Sequence, residues 1–133
     1  MELYGDEKIF DLELEDGTMT KALGFWGVES VFSNFHPCNI EFNFRDKDRE
    51  VETSEQMFML FKANMFRDFE SAEEIIDAPN QMMAKSIGRG VKNYDDRRWS
   101  LERYDYMKQA CFLKFSQNSE LHGRLLKTVD MYL

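Results

Sequence analysis

Glu55 and Lys62 interrupt ETSEQMFMLFKAN (52–64), a stretch otherwise mostly apolar. A carboxylate and an amine in apolar surroundings can do acid–base chemistry, and the amine can also act as a nucleophile. At about 100° per residue, Glu55, Lys62 and Phe66 share one narrow helical stripe flanked by Phe58 and Met59. Met57, Leu60, Phe61, Ala63 and Met65 occupy the other sides. A helix apolar nearly all round is buried, so its charged stripe must meet water, a partner charge or a cavity. The two charges lie about 10 Å apart along the axis, too far for a direct pair. Each also has a purely structural use. Glu55 in a first turn complements the helix dipole, by about 0.3–1 kcal/mol. Lys62 can lay its stem over apolar surface and keep its ammonium wet.

Three further clusters carry usable chemistry. MAKSIGRG (83–90) places Lys85 and Arg89 four apart on one helical face, beside Gly88 and Gly90. That is either a phosphate clamp or a basic helix C-terminus complementing the dipole. DDRRW (95–99) offers Arg97 and Arg98 for a phosphate and Trp99 for stacking on a base, or a Trp packed beside a helix start. In SVFSNFHP (30–37), Ser33 and Asn34 sit between Phe32 and Phe35. The rings can anchor a loop that turns the polar pair to a ligand, or Asn34 can simply form a turn.

The elements that must position these residues divide in two. KIFDLEL (8–14), TKALGFWG (20–27) and CNIEFNF (38–44) read as strands, with a turn at Asp16-Gly17 and a charged turn over 46–50. The spacing of Thr53 and Gln56 predicts a capped helix to about Phe66. Further helices are expected over 69–78, 81–88, 100–116 with Ser100 as N-cap, and 120–128, with 93–99 a polar connection. The class is α+β: one mostly helical domain with a small N-terminal sheet.

Composition narrows the function. The 133 residues carry a net charge of −8, which disfavours a broad nucleic-acid binder but leaves room for a locally basic pocket. Cys38 and Cys111 form no disulfide framework, and a reducing compartment fits them. His36 and His122 lie far apart with no metal-site spacing. MELYGDEKIF reads as neither signal peptide nor anchor, and no apolar run is long enough for a membrane span. A soluble cytoplasmic protein is expected.

FWG (25–27), VFSNFHPC (31–38), ETSEQMFMLFKA (52–63), APNQMMAKSIGR (78–89), Trp99 and MKQACFLKFSQNSELHGRLLKT (107–128) follow in fixed order. Together they resemble the NADAR superfamily of YbiA-like proteins, over about residues 23–130. The resemblance implies an N-glycosidase that needs no metal or bound cofactor. It implies as substrates a phosphorylated ribosylamino-pyrimidine of riboflavin synthesis, or ADP-ribose on a nucleobase, including that of an ADP-ribosylated nucleic acid. No membrane partner is implied. Carried over by motif, Glu55, Lys62 and Trp99 take catalytic positions. Asn34, Lys85 and Arg89 match binding positions, with Ser33 and Arg98 beside them. The family pattern continues into a tail with an Asp and a Trp-Gly pair, whereas this sequence ends at Leu133. The expectation is therefore one domain over 1–133 without that tail. A catalytically weak module that binds ADP-ribose or a nucleotide is the alternative, and a protein-interaction module that has merely kept the fold a third reading.

Overall fold

The computed structural model describes residues 2–133. Its elements run β1 (Lys8–Glu13), β2 (Met19–Gly24), β3 (Ile40–Phe44), β4 (Lys47–Val51), α1 (Ser54–Met65), α2 (Phe69–Ile76), α3 (Gln81–Arg89), α4 (Asp96–Gln117), α5 (Ser119–Leu126) and β5 (Met131–Tyr132). The α+β class and helical bulk are as expected, but the strands form two sheets. β1 and β2 pair antiparallel from Lys8 opposite Gly24 to Glu13 opposite Met19, and β5 joins β2 in parallel. β3 and β4 form a separate hairpin, from Ile40 opposite Val51 to Phe44 opposite Lys47.

That hairpin corrects the expected charged turn over 46–50. The turn is Arg45-Asp46, both at positive φ (54° and 63°), the conformation of a two-residue turn that matches strand twist. The next five residues, KDREV, are strand β4. Lys47, Asp48 and Glu50 are exposed, while the half-buried Arg49 makes two hydrogen bonds to the Glu73 carboxylate of α2, at 2.7 and 2.9 Å. Such a fork holds a strand with almost no apolar residues of its own against the helices.

α1 is capped as its sequence predicts, with the Thr53 hydroxyl accepting from the Gln56 amide at 3.0 Å. The Gln56 side chain accepts from the Glu52 amide and donates to the Ile75 and Ile76 carbonyls at the end of α2. α4 begins one turn before the expected Ser100. Asp95 caps it by accepting from the Arg98 amide at 3.2 Å, so residues 96–99 are helix rather than connection. Asp95 and Asp96 suit an N-terminus, and Trp99, buried from that first turn, anchors it.

The core lies around α1, which packs on α2, α3 and α4. Met57, Leu60 and Ala63 of α1 meet Ile75, Ala84, Trp99 and Ala110 there. α1 and α3 cross closely at Gly88, where an added Cβ would overlap the Met59 side chain. The first sheet is held by a buried ion pair, Arg124 of α5 to Glu7 at 2.5 Å, and Glu7 also accepts from the Ser30 hydroxyl at 2.7 Å. Among the described residues no helix is long and apolar enough to cross a membrane. Gly88→Ala should destabilise the protein by about 1–3 kcal/mol, the usual cost of overpacking, read as a lower denaturation midpoint. An unchanged midpoint would show that Met59 moves aside freely.

Candidate active site

α1 presents Glu55 in its first turn, and the loop before β3 closes over that end. The Asn34 carbonyl accepts the Glu55 amide at 3.1 Å, and Asn34 Oδ1 accepts the Ser54 hydroxyl at 2.8 Å. Asn34 therefore satisfies two groups at the head of the helix, where backbone donors have no intrahelical partner. Its side-chain oxygen is committed to the protein rather than to a ligand. Ser33 is buried, with its hydroxyl accepting from the Phe35 amide at 3.1 Å. This corrects the expectation that Ser33 faces a substrate. The SNF segment shapes the site from behind.

Glu55 is only 7% exposed. Burial raises its carboxyl pKa above the ordinary value, and the Lys85 ammonium opposes that shift. Lys85 lies on α3, its ammonium 5.6 Å from the centre of the Phe35 ring. Lys85 and Arg89 share a face of α3, as expected, and with Val28, Phe35 and Gln81 they line a hollow of about 350 Å³. The structure thus gathers Asn34, Glu55, Lys85 and Arg89 around the meeting of a loop and two helices. A desolvated carboxyl facing Lys85 can move a proton or stabilise a developing positive charge, and the Lys85–Arg89 pair beside it can hold an anion.

Lys62 occupies a different corner. Its ammonium lies 4.7 Å from the centre of the Tyr94 ring and 5.7 Å from that of Trp99. Burial lowers its pKa below the ordinary lysine value, while the ring faces favour its charged form. Trp99 does not offer a surface to a base. It is buried and packs on Phe58, Phe66 and Tyr106, with centroids 5.1, 6.5 and 6.0 Å away. The stacking expectation is corrected: the ring belongs to the core and touches Lys62. Arg98 is exposed, with its guanidinium 5.6 Å from the centre of the Phe66 ring. Phe66 lies at the far end of α1, about 16 Å along the axis from Glu55. Arg98 is thus not brought to the hollow that Lys85 and Arg89 line.

One buried cation beside the site escaped the sequence reading. Lys114 of α4 is 1% exposed and donates to the Ser33 carbonyl at 2.8 Å. Burial lowers its pKa to about 8, while Cys38 and Cys111 hold it up. Both thiols are pushed up by their own burial. The signal lay in the helical period, which puts Lys114 on one inward face with Trp99 and Ala110. The ammonium supports the loop whose next residue, Asn34, receives Glu55.

The family model of the NADAR domain matches residues 24–133. The chain is 35% identical over 131 residues to Protein irg-1 of Caenorhabditis elegans, covering 90% of this chain and 61% of that protein. It is 33% identical over 99 residues to N-glycosidase R617 of Acanthamoeba polyphaga mimivirus, covering 74% of this chain and 58% of that protein. The chain thus spans about three fifths of the length of these curated relatives.

The Lys114 geometry predicts a pH dependence. Between pH 8 and the ordinary lysine value of about 10.4, the unfolded chain holds a proton that the folded chain has released. Rising pH therefore stabilises the fold across that window. Relative to Lys114→Met, the wild type should gain on the order of 2–3 kcal/mol between about pH 7.5 and about pH 10.5. Denaturant titrations at both values measure it, and a difference constant in pH would remove the buried cation from the account.

Proposed function

The chain belongs to the NADAR domain family, and from that premise we propose that it hydrolyses an N-glycosidic bond to a phosphorylated ribose or to ADP-ribose. A curated relative named as an N-glycosidase supports the reaction type. The observation that carries the reading is Glu55, a desolvated carboxyl at a helix head, facing Lys85 beside the hollow that Lys85 and Arg89 line. The substrate would be a ribosylamino-pyrimidine phosphate or an ADP-ribosylated nucleobase. Two free cysteines, Cys38 and Cys111, suit a reducing compartment such as the cytoplasm.

The chemistry follows from the charges. Breaking the bond between nitrogen and C1 leaves positive charge on the sugar. The Glu55 carboxylate stabilises that charge and takes a proton from the water that attacks C1. Burial makes it a stronger base than an exposed glutamate. The departing nitrogen gains a proton, and C1 keeps the hydroxyl. Lys85 and Arg89 hold phosphate oxygens. Lys62, about 10 Å along α1 from Glu55, reaches the reaction as proton donor, or as nucleophile toward an opened ribose aldehyde, only if the substrate extends to the Tyr94–Trp99 corner. The distance of Lys62 from the Lys85–Arg89 hollow favours a second reading, in which the site binds ADP-ribose or a nucleotide without turnover.

A panel of ADP-ribosylated guanosine DNA, ADP-ribose, NAD and ribosylamino-pyrimidine phosphates separates the two readings by release of free base or amine. Glu55→Gln should lower turnover at least about a hundredfold while binding persists. Its stability at neutral pH should not fall by more than about 1 kcal/mol, the scale of the lost dipole interaction. Binding with no turnover by the wild type would establish the binder, and an unfolded Glu55→Gln would make the carboxyl structural. Arg89→Ala should weaken phosphorylated ligands about tenfold more than the matching nucleoside. An equal loss for both would remove Arg89 from phosphate binding.

A further inference from the structure

α4 buries one face and leaves large apolar side chains on the other. Trp99, Ala110 and Lys114 point inward. On the opposite side Leu101, Tyr104 and Phe112 are 75%, 71% and 70% exposed. At about 100° per residue these three, with Asp105 and Lys108, fall on a single stripe. An exposed apolar row along 22 residues of helix, interrupted by Asp105 and Lys108 and preceded on the same stripe by Arg97, is a surface suited to a partner.

The pattern identifies the partner. In an antiparallel pair of identical helices, residue i faces residue j with i + j constant, and the two-fold axis passes through the midpoint. α4 runs from Asp96 to Gln117, so its midpoint lies between Tyr106 and Met107. About that point Leu101 faces Phe112 of the second helix, Tyr104 faces Gln109, and Asp105 faces Lys108. Every pairing occurs twice. The apolar pairs lie outside two opposite-charge pairs, and no like charges meet on the stripe. A parallel arrangement in register would instead set each charge against its own copy. A hollow of about 640 Å³ lined by Asp105, Lys108, Gln109, Phe112 and Leu113 lies where the opposing Tyr104 ring would enter.

We propose that the outer face of α4 is a self-association surface on which a second copy packs antiparallel, with Leu101 on Phe112 and Asp105 on Lys108. The interface is isologous, each patch meeting itself. It lies on the face of α4 away from α1, so each copy keeps its hollow at Lys85 and Arg89 open. The inference stands independently of catalysis.

Charge reversal tests it on the full chain, at positions whose exposure leaves the fold intact. Sedimentation velocity should show a concentration-dependent dimer for the wild type. Asp105→Lys sets four cations together and Lys108→Asp four anions, so each alone should raise the dissociation constant at least about tenfold. An equimolar mixture of these two variants should restore the dimer, because each then faces its complement. Leu101→Glu should also dissociate it. A wild type monomeric at about 100 μM, far above the micromolar constants of weak interfaces, would overturn the proposal. So would a dimer that both single reversals leave unchanged, or a mixture that stays monomeric.

Discussion

α1 touches α2, α3 and α4 at once, and that enclosure governs every charged group near it. A helix so surrounded must shed the water around its side chains. Apolar residues gain from this, but Glu55 and Lys62 cannot, because their charged forms lose hydration. The shifts run in opposite directions, up for the acid and down for the base, from one cause. What spares the fold a larger penalty is local compensation. Lys85 faces Glu55, and two aromatic faces meet Lys62. The tight crossing at Gly88 brings α3, and so Lys85, close enough to matter.

The same enclosure gives a protein of net charge −8 a locally basic recess. Most of its acidic groups are spread over the exposed surface, where solvent and salt screen them. Lys85 and Arg89 border a recess with a low-dielectric wall that includes Phe35. Field from the pair is focused there while the distant carboxylates are damped. Lys114 adds a third cation on the protein side of the SNF loop, held to the carbonyl of Ser33. It is too deeply buried to touch a ligand.

Much of this was legible because local chemistry and tertiary packing agreed. Thr53 caps α1 where its spacing with Gln56 said it would, and Lys85 and Arg89 do share a face. β4 was hidden because a strand held by an Arg49–Glu73 fork shows no apolar alternation. The start of α4 was missed because Ser100 and Asp95 are equally good caps on paper. Only the burial of Trp99 decides between them. That same burial removed Trp99 from any role as a stacking platform. β5 is two residues long and exists only by pairing with β2, so no local pattern announces it. Lys114 was passed over because a lysine in a helix is ordinarily read as surface.

The Arg124–Glu7 pair joins positions 117 residues apart, and β5 reaches back to β2 over a similar span. During synthesis the N-terminal hairpin leaves the ribosome long before either partner exists. A two-stranded hairpin alone is marginal in water. The helical core around α1 can close first from contacts that are nearer in sequence, such as those with α2 and α3. The ion pair that holds the sheet forms only once α5 is present with the guanidinium that Glu7 must meet. Until that moment Glu7 keeps its hydration shell, and the buried charge pair is made in one step rather than in halves. Contact order therefore favours closing the middle of the chain before its two ends meet.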